Sequence, residues 1–215
     1  MIQPYGIRKV VGSINAEGDA YWPAAMRRTY FEQQTLWKFI RSAFERHILL
    51  YLIHYAYPGD LIKSAVEFGC GYGRMLPVLS EFSNFGVVGI ERDQELARIA
   101  LSLQPDYLIH CVNSFADVQS KIADKSAQLI LTYTVLQHLT DEECKQTIAQ
   151  MKRILDPEGF IVICEDTGNV SGPDYYQRTM DQYQDLFIGM KMFCQAPRQF
   201  EDGRMVGQHM AFRWP

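Results

Sequence analysis

One stretch of the chain, from Ser64 to Arg74, constrains the fold more than any other, because it joins a strand, a glycine turn and a helix. Ala65 and Val66 form the short apolar run of a buried parallel strand, and Glu67 ends it. The glycines and the apolar residues of the following helix are Gly69, Gly71, Gly73, Met75, Leu76, Val78, Leu79 and Phe82. Glycine adopts positive φ and lets a ligand approach the backbone, and the first turn of a helix has unpaired N–H groups. The stretch therefore predicts the floor of a site for a nucleotide-like ligand.

A second predicted strand also ends in a carboxylate. It runs from Gly86 to Glu91, and Glu91 follows the glycine turn by about 20 residues, the separation at which an acidic residue commonly binds a ribose. We therefore expect Glu91 to accept hydrogen bonds from both hydroxyls of an adenosine ribose. The alternative is a solvated strand end.

Apolar runs and helical periods alternate from Ala65 onward, which predicts an α/β fold with a doubly wound, mostly parallel sheet. Further strands are predicted at residues 107–111, 127–134, 160–164, 190–195 and 207–214, and helices at 93–103, 140–155 and 174–187. Asp93 and Thr140 are expected to cap their helices.

The first 60 residues are predicted to form a loop and a helix that caps the active site, and residues 61–215 a single binding domain. Thr29 to Glu32 fits a capping box, and Pro58-Gly59 stops the helix. The residues at three- and four-residue steps that predict its buried face are Leu36, Ile40, Ala43, Phe44, His47, Ile48 and Tyr51.

The glycine turn, read as Glu-x-Gly-x-Gly-x-Gly, resembles the first motif of class I S-adenosylmethionine-dependent methyltransferases. Arg74 stands where a dinucleotide-binding turn has its third glycine, which disfavours a nucleotide-dependent oxidoreductase. Two later segments also resemble that family. They are Val135-Leu-Gln-His-Leu139 after the fourth strand, and Leu155, Pro157 and Gly159 before the fifth.

The resemblance implies a seven-stranded Rossmann-like sheet whose last strand is antiparallel, and S-adenosylmethionine as the cofactor, with S-adenosylhomocysteine as product. It implies cofactor contacts by Glu67, Phe68, Gly69, Cys70, Gly71, Gly73, Glu91, Arg92, Asn113, Ser114, Thr132 and Tyr133. Asn113 and Ser114 occupy the turn where the family commonly has an acidic residue that binds the adenine amino group. The side-chain carbonyl oxygen of Asn113 could accept a hydrogen bond from that amino group.

His138 is the histidine predicted beside the methionine end of the cofactor, and its ordinary pKa near ~6.5 suits a general base. A structural histidine that shapes the loop is the alternative. Asp166 is predicted to orient His138 or to bind a cationic acceptor, with a solvated strand-end acid as the alternative.

A weaker resemblance links Tyr21-Trp22, the His138 segment and Ile161 to Asp166 with protein N-terminal α-amine methyltransferases. It implies that Trp22 lies at a substrate channel. Tyr30 and Gln137 are further predicted substrate contacts. The expected acceptor is an O or N atom of a small molecule, with a peptide or protein amine as the alternative, and a catalytically idle cofactor-binding subunit as the alternative from another class.

The net charge and the scattered cysteines and histidines indicate which partners and metal sites the chain is expected to have. A net charge of -4 disfavours a protein that grips nucleic acid by charge. The five cysteines and five histidines are dispersed, which predicts reduced thiols, a cytoplasmic protein and no metal site. The sequence predicts no membrane span, and it leaves the oligomeric state open.

Overall fold

The computed structural model describes residues 36–57, 61–168, 171–172, 174–199 and 205–215. The helices are α1 (Leu36–Ala56), α2 (Leu76–Ser80), α3 (Gln94–Leu103), α4 (Asp141–Ile154) and α5 (Met180–Leu186). The strands are β1 (Ala65–Phe68), β2 (Val87–Glu91), β3 (Leu108–Cys111), β4 (Ala127–Tyr133), β5 (Leu155–Asp166), β6 (Ser171–Gly172), β7 (Tyr175–Tyr176), β8 (Lys191–Gln199) and β9 (Met205–Arg213).

Seven strands form one sheet in the order β3-β2-β1-β4-β5-β9-β8. The first five pair in parallel, and β9 is antiparallel to both β5 and β8. The predicted seven-stranded, Rossmann-like α/β fold with an antiparallel last strand is therefore confirmed. The chain order reverses on either side of β1, and such a switch point opens a crevice at the carboxyl ends of the strands.

Two apolar clusters cover the two faces of the sheet, as expected for a parallel sheet with helices on both sides. Every residue of β4 is buried, which agrees with its place in the interior of the sheet. One cluster includes residues of α4 and the other includes residues of α1 and α2. The strands therefore lie in the interior of the core, between the two clusters.

Two of the helix caps predicted from the sequence, at Asp93 and Thr140, are confirmed. The Asp93 side chain accepts hydrogen bonds from the backbone N–H groups of Glu95 and Leu96 at the start of α3. Thr140 and Glu143 form a reciprocal capping box at the start of α4. Asp93 thereby fixes the turn that follows Glu91, and Thr140 fixes the end of the loop that carries His138.

The buried face of α1 differs from the predicted one. Phe44 and Tyr51 are 52% and 59% exposed, and His47 is exposed as well. The residues that face the core are Glu45, Leu49, Leu52 and Ile53. The predicted face was wrong because α1 has apolar residues all round, so that the steps at three and four residues fit more than one face.

Three element boundaries also differ. The predicted helix at 174–187 is wrong before Met180, since β6 and β7 form a hairpin there and Thr179 caps the shorter helix through a capping box with Gln182. β5 begins at Leu155, because Leu155 already pairs with Ala127 before the register shifts and pairing resumes at Phe160. β8 extends to Gln199, beyond its predicted end at residue 195.

The predicted loop and capping box before residue 36 also lie outside the described residues, as do Trp22 and Tyr30, so the domain division at residue 60 stays a prediction. Within the described ranges, no helix has the length and hydropathy to cross a membrane. The same ranges contain no group of three or more His, Cys, Asp or Glu side chains placed to hold a metal ion.

Candidate active site

A cleft opens at the carboxyl ends of β1, β2 and β4, where the strand order reverses. It encloses about 540 Å³, including its open mouth. Its lining residues are Gly69, Gly71, Glu91, Arg92, Asp93, Leu96, Phe115, Tyr133, Thr134, Val135, His138 and Leu139. The cleft thus brings together the glycine turn, the acidic end of β2 and the segment that follows β4, three features that the sequence predicted separately.

The glycine turn follows β1 and forms the floor. Gly69 and Gly71 have φ values of 69° and 56°, a region that favours glycine. The N–H groups of Gly69 and Cys70 both donate to the Ile90 carbonyl, at 2.7 and 3.0 Å. A Cβ at Gly69 would lie 2.5 Å from Cγ2 of Val135, so this glycine is required for the turn to approach the segment after β4.

Glu91 is buried and its carboxylate is held by backbone donors. Its Oε2 accepts from the N–H of Gly71 at 2.7 Å, and its Oε1 accepts from the N–H groups of Arg92 and Asp93 at 2.7 and 2.8 Å. Burial raises the pKa of Glu91, and these three backbone hydrogen bonds oppose that rise. Glu91 therefore joins the glycine turn to the end of β2. A carboxylate offers about four acceptor positions, so Oε2 keeps one for a further donor.

Glu67 does not line the cleft, but it lies beneath the glycine turn. It is 2% exposed, and its Oε2 atom is buried without a hydrogen-bond partner. Burial raises its pKa well above the ordinary value, the guanidinium of Arg74 lowers it, and the charge of Glu91 raises it further. An unsatisfied buried carboxyl oxygen beside a ligand cleft is a site that a donor group would stabilise.

His138 lies on the other side of β1 from Glu91, in a short 3₁₀ turn (Leu136–His138). Its Nδ1 is 2.9 Å from the carbonyl oxygen of Asp174. Burial lowers the pKa of His138, while the hydrogen bond to Asp174 and the charges of Asp166 and Asp174 oppose that shift. The imidazole is therefore neutral near pH 7 and able to take up a proton.

In the part of the chain that the structure describes, Asp166 makes no hydrogen bond to His138, although its charge raises the pKa of that histidine. Asp166 is 8% exposed, and it forms a short ion pair with Arg198. Its Oδ2 accepts from the Tyr175 hydroxyl at 2.6 Å and from Gln137 Nε2 at 3.4 Å. The carboxylate is therefore neutralised inside the protein, and His138 takes its orientation from the Asp174 carbonyl instead.

Several predicted contacts have side chains directed elsewhere. The predicted residues outside the cleft lining are Glu67, Phe68, Cys70, Gly73, Asn113, Ser114, Thr132, Gln137 and Asp166. Thr132 is fully buried and donates to Glu165, and Phe68 packs in the core against Phe115. Ser114 caps the 3₁₀ helix Phe115–Ser120, and Asn113 is exposed. Their contacts with a cofactor stay predictions.

The sequence reasoning missed other residues of the site. The overlooked lining residues are Asp93, Leu96, Phe115, Thr134, Val135 and Leu139. Leu96 and Phe115 each follow a helix cap that itself comes just after the end of a strand. That position in the sequence could have identified both as residues of the cleft. Thr134 has a φ of 56°, which is unusual for a β-branched residue and has no signal in the sequence.

Comparisons with known proteins agree with this geometry. A family model described as a methyltransferase domain matches residues 66–163. A curated relative, phosphoethanolamine N-methyltransferase 1 of Triticum aestivum, is 24% identical over 144 residues, which are 66% of this chain. The chain spans only 29% of the length of that relative.

Two solved structures share the fold. The PH0226 protein of Pyrococcus horikoshii superposes with a TM-score of 0.68 at 14% identity, covering 90% of this chain and 100% of that one. A TehB-like methyltransferase from Corynebacterium glutamicum that depends on S-adenosylmethionine gives a TM-score of 0.63 at 14% identity, covering 89% and 95%. With its glycine turn, its strand order and the methyltransferase domain matched over residues 66–163, the chain is similar to the class I methyltransferases, whose cofactor is S-adenosylmethionine.

Proposed function

We propose that the chain transfers a methyl group from S-adenosylmethionine to an O or N atom of a small-molecule acceptor, with His138 as general base. The observation that carries the proposal is the cleft itself, which places a buried carboxylate, a glycine turn and a neutral imidazole around the end of β1. The family match supplies the cofactor.

The residues of the cleft fit this cofactor. Oε2 of Glu91 keeps an acceptor position for one ribose hydroxyl. To bind both hydroxyls, Oε2 has to exchange the hydrogen bond that it accepts from the N–H of Gly71 for one from the second hydroxyl. The apolar side chains of Leu96 and Phe115 stand beside Glu91 in the lining, where they offer surface for a purine ring.

The chemistry asks little of the protein beyond placement. The cofactor, when bound, supplies a methyl group activated by a positively charged sulfur. The chain has to hold the acceptor in line with that methyl group and remove a proton when the acceptor is a hydroxyl or a protonated amine. His138 is suited to the second task because it lines the cleft and its lowered pKa keeps it neutral at pH 7.

Two observations favour a small acceptor over a peptide amine. The carboxylate of Asp166, which belongs to the segment that resembles the peptide methyltransferases, is buried and paired with Arg198. The curated relative is named as an enzyme that methylates phosphoethanolamine, a small amine. The peptide amine remains the second candidate acceptor, since Tyr21 and Trp22 lie outside the described residues.

Calorimetric titration and an acceptor screen test the proposal. We expect the purified chain to bind S-adenosylmethionine and not NADH. The screen covers small hydroxyl compounds, small amines and peptides with free N-termini. We expect S-adenosylhomocysteine to accumulate when a small acceptor is present. The matched control is the His138→Gln variant, assayed with the same acceptors. Binding without turnover across the whole screen would favour the idle cofactor-binding subunit, whereas turnover of peptides alone would favour the second candidate.

A further inference from the structure

The segment that carries His138 is held from two sides by residues that do not line the cleft. We call residues 134–139 the His138 loop. Glu165, at the end of β5, contacts it from one side. The hairpin of β6 and β7, together with Arg178 immediately after it, contacts it from the other. Neither contact is made to the glycine turn or to Glu91.

Glu165 holds the backbone of the loop. It is fully buried, and its Oε1 accepts from the Thr132 hydroxyl at 3.0 Å and from the N–H of Val135 at 3.2 Å. Its Oε2 accepts from the N–H of Gln137 at 3.2 Å. These donors belong to the end of β4 and to the residues just before His138, so the carboxylate ties the loop to the sheet.

Arg178 holds the carbonyl groups of the same loop. It is 4% exposed, and its guanidinium donates to the carbonyl oxygens of Leu136 and Leu139 at 2.8 and 2.9 Å. It also donates twice to Oδ1 of Asp141, at 2.7 and 3.1 Å. A guanidinium is planar with several fixed donors, so Arg178 sets the distance between the two ends of the 3₁₀ turn that contains His138.

The hairpin turn sets the imidazole itself. Asp174 has a φ of 56°, and its carbonyl oxygen lies 2.9 Å from Nδ1 of His138. A carbonyl oxygen can only accept a hydrogen bond, so in the neutral imidazole Nδ1 carries the proton and the lone pair is on Nε2. The contact therefore selects one tautomer and one ring orientation.

We propose that Asp174 and Arg178 are positioning residues for His138, the first fixing its tautomer through a backbone carbonyl and the second fixing its loop. The inference deepens the proposed function and rests on it for the catalytic role of His138. The hairpin is thus part of the site, although neither Asp174 nor Arg178 lines the cleft.

Two substitutions at Asp174 separate its backbone from its side chain. Asp174→Gly and Asp174→Val remove the same carboxylate, but glycine tolerates positive φ whereas a β-branched residue does not. In ¹⁵N-histidine-labelled protein above pH 7.5, the His138 signals are identified by their absence from His138→Gln. We expect wild type and Asp174→Gly to keep the proton on Nδ1, and Asp174→Val to lose that single tautomer. Identical spectra for the two variants, or a wild-type proton on Nε2, would overturn the role of Asp174.

Arg178→Met tests the loop contact, with Arg153→Met as its matched control. Like Arg178, Arg153 donates to a backbone carbonyl, that of Ile122 at 3.0 Å, and pairs with an aspartate, Asp124. Neither arginine lines the cleft. We expect Arg178→Met to change the His138 signals and to lower turnover about 10²-fold, as a displacement of ~1 Å can, while the affinity for S-adenosylhomocysteine stays within about twofold. The control should leave the spectrum and turnover unchanged, and Arg178→Lys should recover only part of the turnover.

These readouts separate the two proposals. Unchanged His138 signals in a folded Arg178→Met would overturn the positioning role of Arg178, and equal effects of the two methionine variants would do the same. Changed signals without any change in turnover would leave the tautomer control in place and would instead contradict His138 as the base.

Discussion

At the residue scale, the chemistry of the cleft depends on two side chains that lie on opposite sides of β1. Glu91 is a buried carboxylate with an acceptor position to spare, and His138 is an imidazole whose pKa is lowered by burial. One can hold a ligand hydroxyl and the other can accept a proton. Substitutions at these positions should therefore affect different steps.

For His138, glutamine keeps hydrogen bonding and removes the base. General-base assistance commonly contributes about 10²–10⁴-fold, so His138→Gln should lower turnover by that order while cofactor affinity stays within about twofold. Because the pKa of His138 lies below its ordinary value of 6.5, the wild-type rate should rise with pH through a pKa below 6.5. Full turnover by His138→Gln from pH 6 to 9 would make the histidine structural.

For Glu91, glutamine is the sharper test because alanine would also remove the acceptors of three backbone N–H groups. Glu91→Gln should lose a charge-assisted hydrogen bond of about 1.5–3 kcal/mol, which corresponds to roughly 10- to 100-fold weaker binding of S-adenosylmethionine by calorimetry. Glu95→Ala, four residues further along the chain and paired with Arg98, is the control. Affinity unchanged within twofold in Glu91→Gln would remove Glu91 from the ribose contact.

At the element scale, the glycine turn and the segment after β4 depend on each other. Alanine at Gly69 would place Cβ 2.5 Å from Cγ2 of Val135 in a backbone conformation with φ 69°. We expect Gly69→Ala to lower the free energy of unfolding by about 1–2 kcal/mol for the left-handed conformation and by a further ~1–3 kcal/mol for overpacking.

A double-mutant cycle in urea separates the two costs of Gly69→Ala. Adding Val135→Ala should recover the overpacking cost and leave the cost of the left-handed conformation. Strict additivity of the two substitutions would show that the contact with Val135 is not what excludes a side chain at position 69.

The sequence predicted those elements whose signals are local. The cap at Asp93 and the capping box at Thr140 follow from side chains that bond to neighbouring backbone groups, and the strand interiors from continuous apolar runs. The face of α1 and the hairpin were not predictable in this way. Glu45 is buried because it pairs with Arg74 and lies 3.8 Å from Arg198, and both partners are distant in sequence.

The candidate site divides along the same line. Glu91 ends a strand, and Gly69, Gly71 and His138 lie within five residues of the strands they follow, so the order of elements was enough to bring them together. Glu165 and Arg178 act through contacts across 28 to 42 residues, and nothing in their own segments indicates those partners. A sequence pattern therefore identifies residues that contact a ligand more readily than it identifies residues that position other residues.

At the scale of the whole molecule, two buried groups give stability opposite dependences on pH. Burial raises the pKa of Glu165 to about 7, whereas an unfolded glutamate titrates near ~4.3. Its contribution is therefore present below about pH 4 and lost as the pH rises to 7. Burial lowers the pKa of His209 to about 4, against ~6.5 unfolded, so its contribution is present above pH 6.5 and lost as the pH falls.

Urea unfolding of single variants between pH 4.5 and 6.5 checks this opposition. Relative to wild type, Glu165→Gln should become more stable as the pH rises across that interval. The reason is that the variant lacks the stabilising contribution of Glu165, which in the wild type falls as the pH rises. His209→Gln should become less stable over the same interval. Parallel curves for wild type and both variants would mean that neither buried group titrates differently in the folded and unfolded chains.

The position of β9 has a consequence for the order in which the protein can be completed during synthesis. β9 lies between β5 and β8 and pairs with both, and its Met210 and Ala211 are fully buried. Both neighbours leave the ribosome before it, and they remain two separate edges until β9 inserts. A nascent chain that stops near residue 200 therefore exposes the edge of β5, beside a β8 that has no partner strand, and such an unpaired edge is a surface that a chaperone can bind.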